Sequence, residues 1–201
     1  MHRIAGLLVL AACTGSVAPP APPPAPLANR AAPRALDRSI RGVDLLDRTY
    51  AAVQLGDEDV DSVTVVDGYV ERPAAADGSR TGWFLVRPPV YGDVDGDGVE
   101  DAVVIVVDNG GGSGKFDEAR VLSLRGGDVV QIARIPGGDR ASGGLHAVAV
   151  ERGGVRIERN DTDGGACCPT RLLVEHWRWT GRELVLDAQR TRTVELPSDD
   201  H

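Results

Sequence analysis

Asp93, Asp95, Asp97 and Asp101 are the residues of this chain whose type and spacing point most directly to chemistry. Counted from Asp93, they take positions 1, 3, 5 and 9 of a calcium loop. Gly98 stands at position 6, where the chain must turn sharply, and Val99 at position 7 offers its backbone carbonyl. Calcium is a hard cation that takes six to eight oxygens, and carboxylates two residues apart on a tight loop converge on one point. Carboxylates so close together repel one another until a cation neutralises them. An EF-hand would add a bidentate Glu at position 12 and a helix on each side. Position 12 here is Val104, and the flanks, 83–87 and 102–107, read as strands. The second flank is apolar throughout, which predicts a strand buried on both faces. The ion would either staple the fold or bridge to a ligand, and the spacing alone allows both.

Other residues could also do chemistry. The run Gly110, Gly111, Gly112, Ser113, Gly114, Lys115 has the glycines of a phosphate loop, but Asn109 precedes it and Phe116 follows the lysine, so the phosphate-loop pattern fails. It reads as a hairpin loop near the calcium end, or as a ligand lip whose bare amides and Lys115 face an anion or a sugar. Cys167 and Cys168 are adjacent and followed by Pro169. Adjacent Cα atoms lie about 3.8 Å apart, below the usual disulfide span of about 4.4–6.8 Å. A vicinal disulfide there would be a strained, rigid turn. Free thiols, an interchain bridge, or a soft-metal or redox site are the alternatives. His146 alternates with Val148 and Val150, which predicts an inward-facing histidine. Trp177 and Trp179 share a face, as core or as a sugar-stacking platform. No Ser, Cys or Thr has a His and an Asp beside it in sequence.

The elements that must position these groups read as β. Short apolar runs are separated by turn signals: Asp67–Gly68, a type I′ hairpin signal, then Gly126–Gly127, Gly153–Gly154 and Thr180–Gly181. Turns this short force antiparallel neighbours. The expected fold is a mostly β, single antiparallel meander or sandwich-like domain of eight or nine strands, with a possible short N-terminal helix over 43–53. The domain spans 36–201 and holds 19 of the 22 basic residues and all 30 acidic ones, a net charge of −11. Such a domain should avoid nucleic acid and anionic lipid.

The N-terminus carries an address. A short apolar run after Arg3 is too short to span a bilayer. It ends in Leu10–Ala11–Ala12–Cys13, which looks like a bacterial lipobox. That implies cleavage after residue 12 and lipidation of Cys13, and several acyl chains would anchor the protein stably in a membrane. An ordinary secretory signal is the alternative. Residues 13–35 form a Pro/Ala-rich tether, extended and unable to build a core.

The metal loop resembles those joining strands in FG-GAP (integrin-type) repeats and, more distantly, dockerins. A propeller needs repeats of the loop, and only a fragment, 161–164, recurs. The lipobox, the tether, the 91–104 segment, the glycine run and the Cys–Cys–Pro motif occur in this order. The combination resembles small bacterial envelope lipoproteins with a DxDGDGxxD metal loop and a CCP motif, and is loosely similar to LppP/LprE-type lipoproteins over roughly 60–196. The resemblance implies a lipid-anchored place in the cell envelope, at the outer membrane if the cell has one. It brings no catalytic residues. The leading expectation is a non-enzymatic lipoprotein whose calcium-stabilised β domain binds a partner protein or glycan. The alternatives are an envelope hydrolase using carboxylates on cell-wall sugars or peptides, and a redox or metal sensor using Cys167 and Cys168. Cys13→Ser is expected to move the protein from the membrane to the soluble fraction on centrifugation; unchanged partitioning would overturn the lipobox reading.

Overall fold

Within the strand Asp101–Asn109, the run 102–107 is apolar on both faces, and both faces are covered. In a computed structural model, residues 39–53, 62–72, 82–109, 114–161 and 169–196 are described. Cys13 and the tether, Gly110–Ser113, and the pair Cys167 and Cys168 lie outside the described residues. The fold is mostly β, with antiparallel sheets and no barrel.

The central sheet runs β3 (Tyr69–Arg72), β4 (Gly82–Val86), β6 (Asp101–Asn109), β7 (Lys115–Arg125) and β8 (Asp128–Gly138). A short strand, β5 (Val90–Gly92), pairs with the first residues of β6, and β4 pairs with its last. The two share one edge of β6 and are separated by Pro88–Pro89, which lack the N–H groups a ladder needs. Ala102, Val104 and Val106 face one way. They pack with Ile40, Leu45, Val65 and Phe84, and with Tyr50 and Val63 from the two-stranded sheet β1 (Thr49–Ala51) and β2 (Ser62–Thr64). Val103, Ile105 and Val107 face the other way, against Leu145, Val155 and Ile157 of a second large sheet. That sheet runs β9 (Leu145–Glu151), β10 (Gly154–Asp161) and β11 (Arg171–Trp179). The far edge of β11 is shared by β12 (Leu184–Leu186) and β13 (Arg192–Glu195).

There are thirteen strands among the described residues, against the eight or nine expected. The additional ones, such as β1, β5 and β13, have three or four residues. So short a run shows no period to read. The expected helix over 43–53 is absent. The Asp44 carboxylate accepts from the amides of Leu46 and Asp47, a local competitor to helical bonding. The Arg48 carbonyl accepts from Val65 N, which draws the chain into β1. The Tyr50 hydroxyl donates to the Leu45 carbonyl at 2.6 Å, and burial pushes this phenol up to about 12.

The Asp67–Gly68 turn forms, with φ of 52° and 77°, but closes a single bridge between Val66 and Tyr69 and no hairpin. Beyond the bridge β2 pairs with β1 and β3 with β4. Gly68 seats against β4, where a Cβ would come within 2.7 Å of the Val86 carbonyl oxygen. His146 is exposed, contrary to the alternation with Val148 and Val150. A register shift between Glu158 and Arg159 makes Leu145 the inward residue in its place, since a one-residue slip reverses the facing of a strand. Trp177 is partly buried: it packs against the Val155 cluster and donates Nε1–H to Glu175.

Asp117 ties the two large sheets together. Its Oδ2 accepts from Leu145 N at 2.9 Å at the start of β9, and its Oδ1 is enclosed without a partner among the described residues. Burial pushes this carboxyl above its ordinary range, partly offset by the Leu145 amide and by Lys115, Arg87 and Arg159. A raised folded-state carboxyl binds its proton more tightly than the unfolded chain does. Its stability contribution is therefore present below the ordinary Asp range and lost as pH rises through the raised value. In paired denaturant titrations, wild type is expected to gain stability relative to Asp117→Asn as pH falls from 7 towards 4. A difference that shrinks with acidification would contradict the burial effect.

Candidate metal centre

The loop 93–100 joins β5 to β6, with Gly92 opposite Asp101 in register. It is held from three sides. Val94 is fully buried in the cluster between the two large sheets, a peg that fixes the loop's start. The carbonyl of Asp93 accepts from Gly153 N, at the turn between β9 and β10, at 3.3 Å. Outside, Glu100 receives Arg41 Nε and Nη2 at 2.6 and 2.8 Å, and the Arg41 guanidinium sits 4.4 Å over the Tyr91 ring. The hydrogen bond from Arg41 holds the Glu100 carboxyl below its usual range.

Within the loop the carboxylates organise the backbone. Asp93 Oδ1 accepts from Gly96 N at 2.7 Å and Oδ2 from Gly98 N at 3.1 Å. Asp95 Oδ1 accepts from Asp97 N, and Asp97 Oδ1 from Val99 N. Gly98 has φ 86° with open space around it, so conformation and not crowding selects glycine at position 6.

Asp93, Asp95 and Asp101 each bring one carboxylate oxygen to within 4.8 Å of the others. Calcium–oxygen distances of about 2.3–2.6 Å span roughly 4.6–5.2 Å across an ion, so three oxygens in this space can share one cation. Asp97 is outside this group, its carboxylate being turned to the Val99 amide. The Val99 side chain is exposed, as expected of a residue whose contribution would come from its carbonyl. Asp101 is wholly buried. Its Oδ2 takes the Val94 amide at 3.0 Å, and its Oδ1 has no hydrogen-bond partner among the described residues. Burial pushes the Asp101 carboxyl up; the Ser123 hydroxyl and the Val94 amide pull it down and the neighbouring Asp95 pushes it up again. A buried, unpaired acceptor costs roughly 1–3 kcal/mol, more if charged, and a coordinated cation removes that cost. Asp95 also takes an ion pair from Arg125 Nη2, which lies at the end of β7. Ser123, Arg125 and the Gly153 amide were not legible as site residues, since no local spacing links them to the loop.

Asn109 and Lys115, which bracket the glycine run, lie away from the acidic loop. β6 runs unbroken from Asp101 to Asn109, and Asn109 pairs with Lys115, so the connection leaves the opposite end of the strand. At about 3.3 Å per residue this is more than 20 Å away. Near that end a cleft of about 330 Å³ is lined by Phe116, Asp117, Glu118, Arg134 and Pro136 among others. Its three carboxylates are engaged or enclosed: Glu118 is paired with buried Arg120, Asp117 Oδ1 is enclosed, and Asp139 Oδ1 accepts from Ser142. Arg120 in turn donates to the Ala51 carbonyl at 2.7 Å, and Asp108 accepts from Val53 N. These charges therefore fasten β1 to the central sheet.

No protein-family model, curated protein or solved structure matches this chain.

Arg125 would compete with a metal ion for Asp95 and repel it. A unit charge some 5 Å from a dication costs on the order of 1–2 kcal/mol even at water's dielectric. If the loop holds a divalent cation, Arg125→Ala is expected to tighten its binding severalfold in a calorimetric titration and to lower the metal-free melting temperature. Weaker binding in the variant would mean that Arg125 shapes the site instead of opposing the ion.

Proposed function

We propose that this chain is a cell-envelope lipoprotein, anchored through Cys13, whose β domain is stabilised by Ca2+ and binds a partner protein or glycan without catalysing a reaction. The observation that carries the metal half of this reading is the buried, unpartnered Oδ1 of Asp101 beside the oxygens of Asp93 and Asp95. An all-oxygen donor set favours a hard cation, and a loop of adaptable geometry favours calcium over magnesium, which demands a tight octahedron and gives up water reluctantly. The ion's role is structural. It joins the loop to the first residue of the core strand β6, while Val94 and the Gly153 amide fix the same loop to the second large sheet.

Two observations favour binding over hydrolysis. The carboxyls that burial raises, Asp101 and Asp117, each have an oxygen closed off from solvent, and each gives its other oxygen to a backbone amide. A general acid must reach its substrate. Conversely, Val185 on β12 and Val194 on β13 are apolar and exposed, suited to a partner surface.

The test is thermal denaturation in chelator and in millimolar calcium. Calcium at a hundredfold excess over Kd should stabilise by about 2.7 kcal/mol, a rise of several degrees for a domain this size. Magnesium should do much less. Asp95→Ala and Asp101→Asn should each remove most of the calcium effect. Identical melting curves in chelator and in calcium would rule the ion out.

A further inference from the structure

The outer face of the second large sheet carries a basic depression in an acidic domain. Residues paired across antiparallel strands share a face. Arg156 of β10 lies directly opposite His176 of β11 on one side and Ala149 of β9 on the other. In the next row Arg192 of β13 lies opposite Val174. Between the stretches of β11 paired by β12 and by β13, the chain leaves the edge in the 187–191 turn, held by Asp187 N on the His176 carbonyl at 2.7 Å. This excursion opens a depression of about 580 Å³ lined by Glu151, Arg156, His176, Arg190, Thr191 and Arg192 together with Gln189.

Its charges are unevenly satisfied. Glu151 Oε2 meets His176 Nδ1 at 3.0 Å and Arg190 Nη2 at 3.2 Å. Partial burial would push Glu151 up, but the His176 hydrogen bond and the charges of His176 and Arg190 outweigh it and hold the carboxyl below its ordinary range. Arg156 pairs with Glu158. Arg192 has no ion pair or hydrogen bond among the described residues. With Nδ1 taken by Glu151, His176 is left with Nε2 for anything in the depression. The depression therefore offers three guanidiniums and an oriented imidazole against two carboxylates, Glu151 and the Glu158 partner of Arg156, in a chain of net charge −8. Guanidiniums match the geometry of phosphate and carboxylate, and a concave setting reduces competition from water.

We infer that this depression is a binding site for a small oxyanion, a phosphate or carboxylate group, contacted by Arg156, Arg192 and His176. It is separate from the metal loop and stands whether or not that loop takes calcium.

The test is an amide NMR titration of the full chain with inorganic phosphate and, separately, with acetate, without added divalent cation. Saturable shifts at residues 156, 176 and 189–192 with either anion are expected, and the tighter anion names the group. Arg192→Ala removes an unpaired, exposed side chain, so its spectrum should stay native while its affinity falls at least fivefold. Arg156→Gln should weaken binding similarly. The inference is overturned if neither anion shifts these residues saturably at tens of millimolar, or if Arg192→Ala binds as wild type does.

Discussion

The carboxylate of Asp101 is the constraint from which the rest of this structure can be understood. It is the first residue of β6, and it is wholly buried with one oxygen unpaired. Directly after it come the residues that fill both cores. A charge at the entrance of the most buried strand is costly unless something neutralises it. The loop before it is folded to bring Asp93 and Asp95 alongside. The acidic loop and the core are thus one object, and neutralising the first would help the second to close.

Layering follows from the same strand. β6 serves as the floor of one core and the ceiling of the other, so it has no polar face to alternate with. The polar groups that do enter these layers are used as ties. Asp117 holds the start of β9, Arg120 with Glu118 holds the end of β1, and Asp108 takes the Val53 amide. The acidic character of the domain is consequently divided. Some carboxylates are structural and enclosed, some crowd the metal loop, and the outer face of the second sheet carries the compensating cations.

Much of this was legible because local patterns sufficed. The aspartate spacing needs only the geometry of one loop. The burial of 102–107 follows from the absence of any polar residue in the run, and the turns at Gly126–Gly127 and Gly181 from their tolerance of positive φ. What misled was information that is not local. Leu45, Leu46, Tyr50 and Val53 have helical spacing, yet Asp44 and the pairing with β2 override it. His146 keeps the alternation of its neighbours, yet a bulge turns Leu145 inward.

The sequence by itself determined the β class, the doubly buried strand and an acidic loop of four aspartates, of which the structure brings Asp93, Asp95 and Asp101 together. Each depends on residue type and on spacing along a few consecutive positions. Tertiary structure alone decided which strands share an edge and that Asn109 and Lys115 pair at the end of β6 opposite the acidic loop. It also brought Arg125, Ser123 and the Gly153 amide to that loop, and Glu151, Arg156, His176 and Arg192 to one face. These depend on contacts between residues tens of positions apart, which are set by how the sheets stack and register.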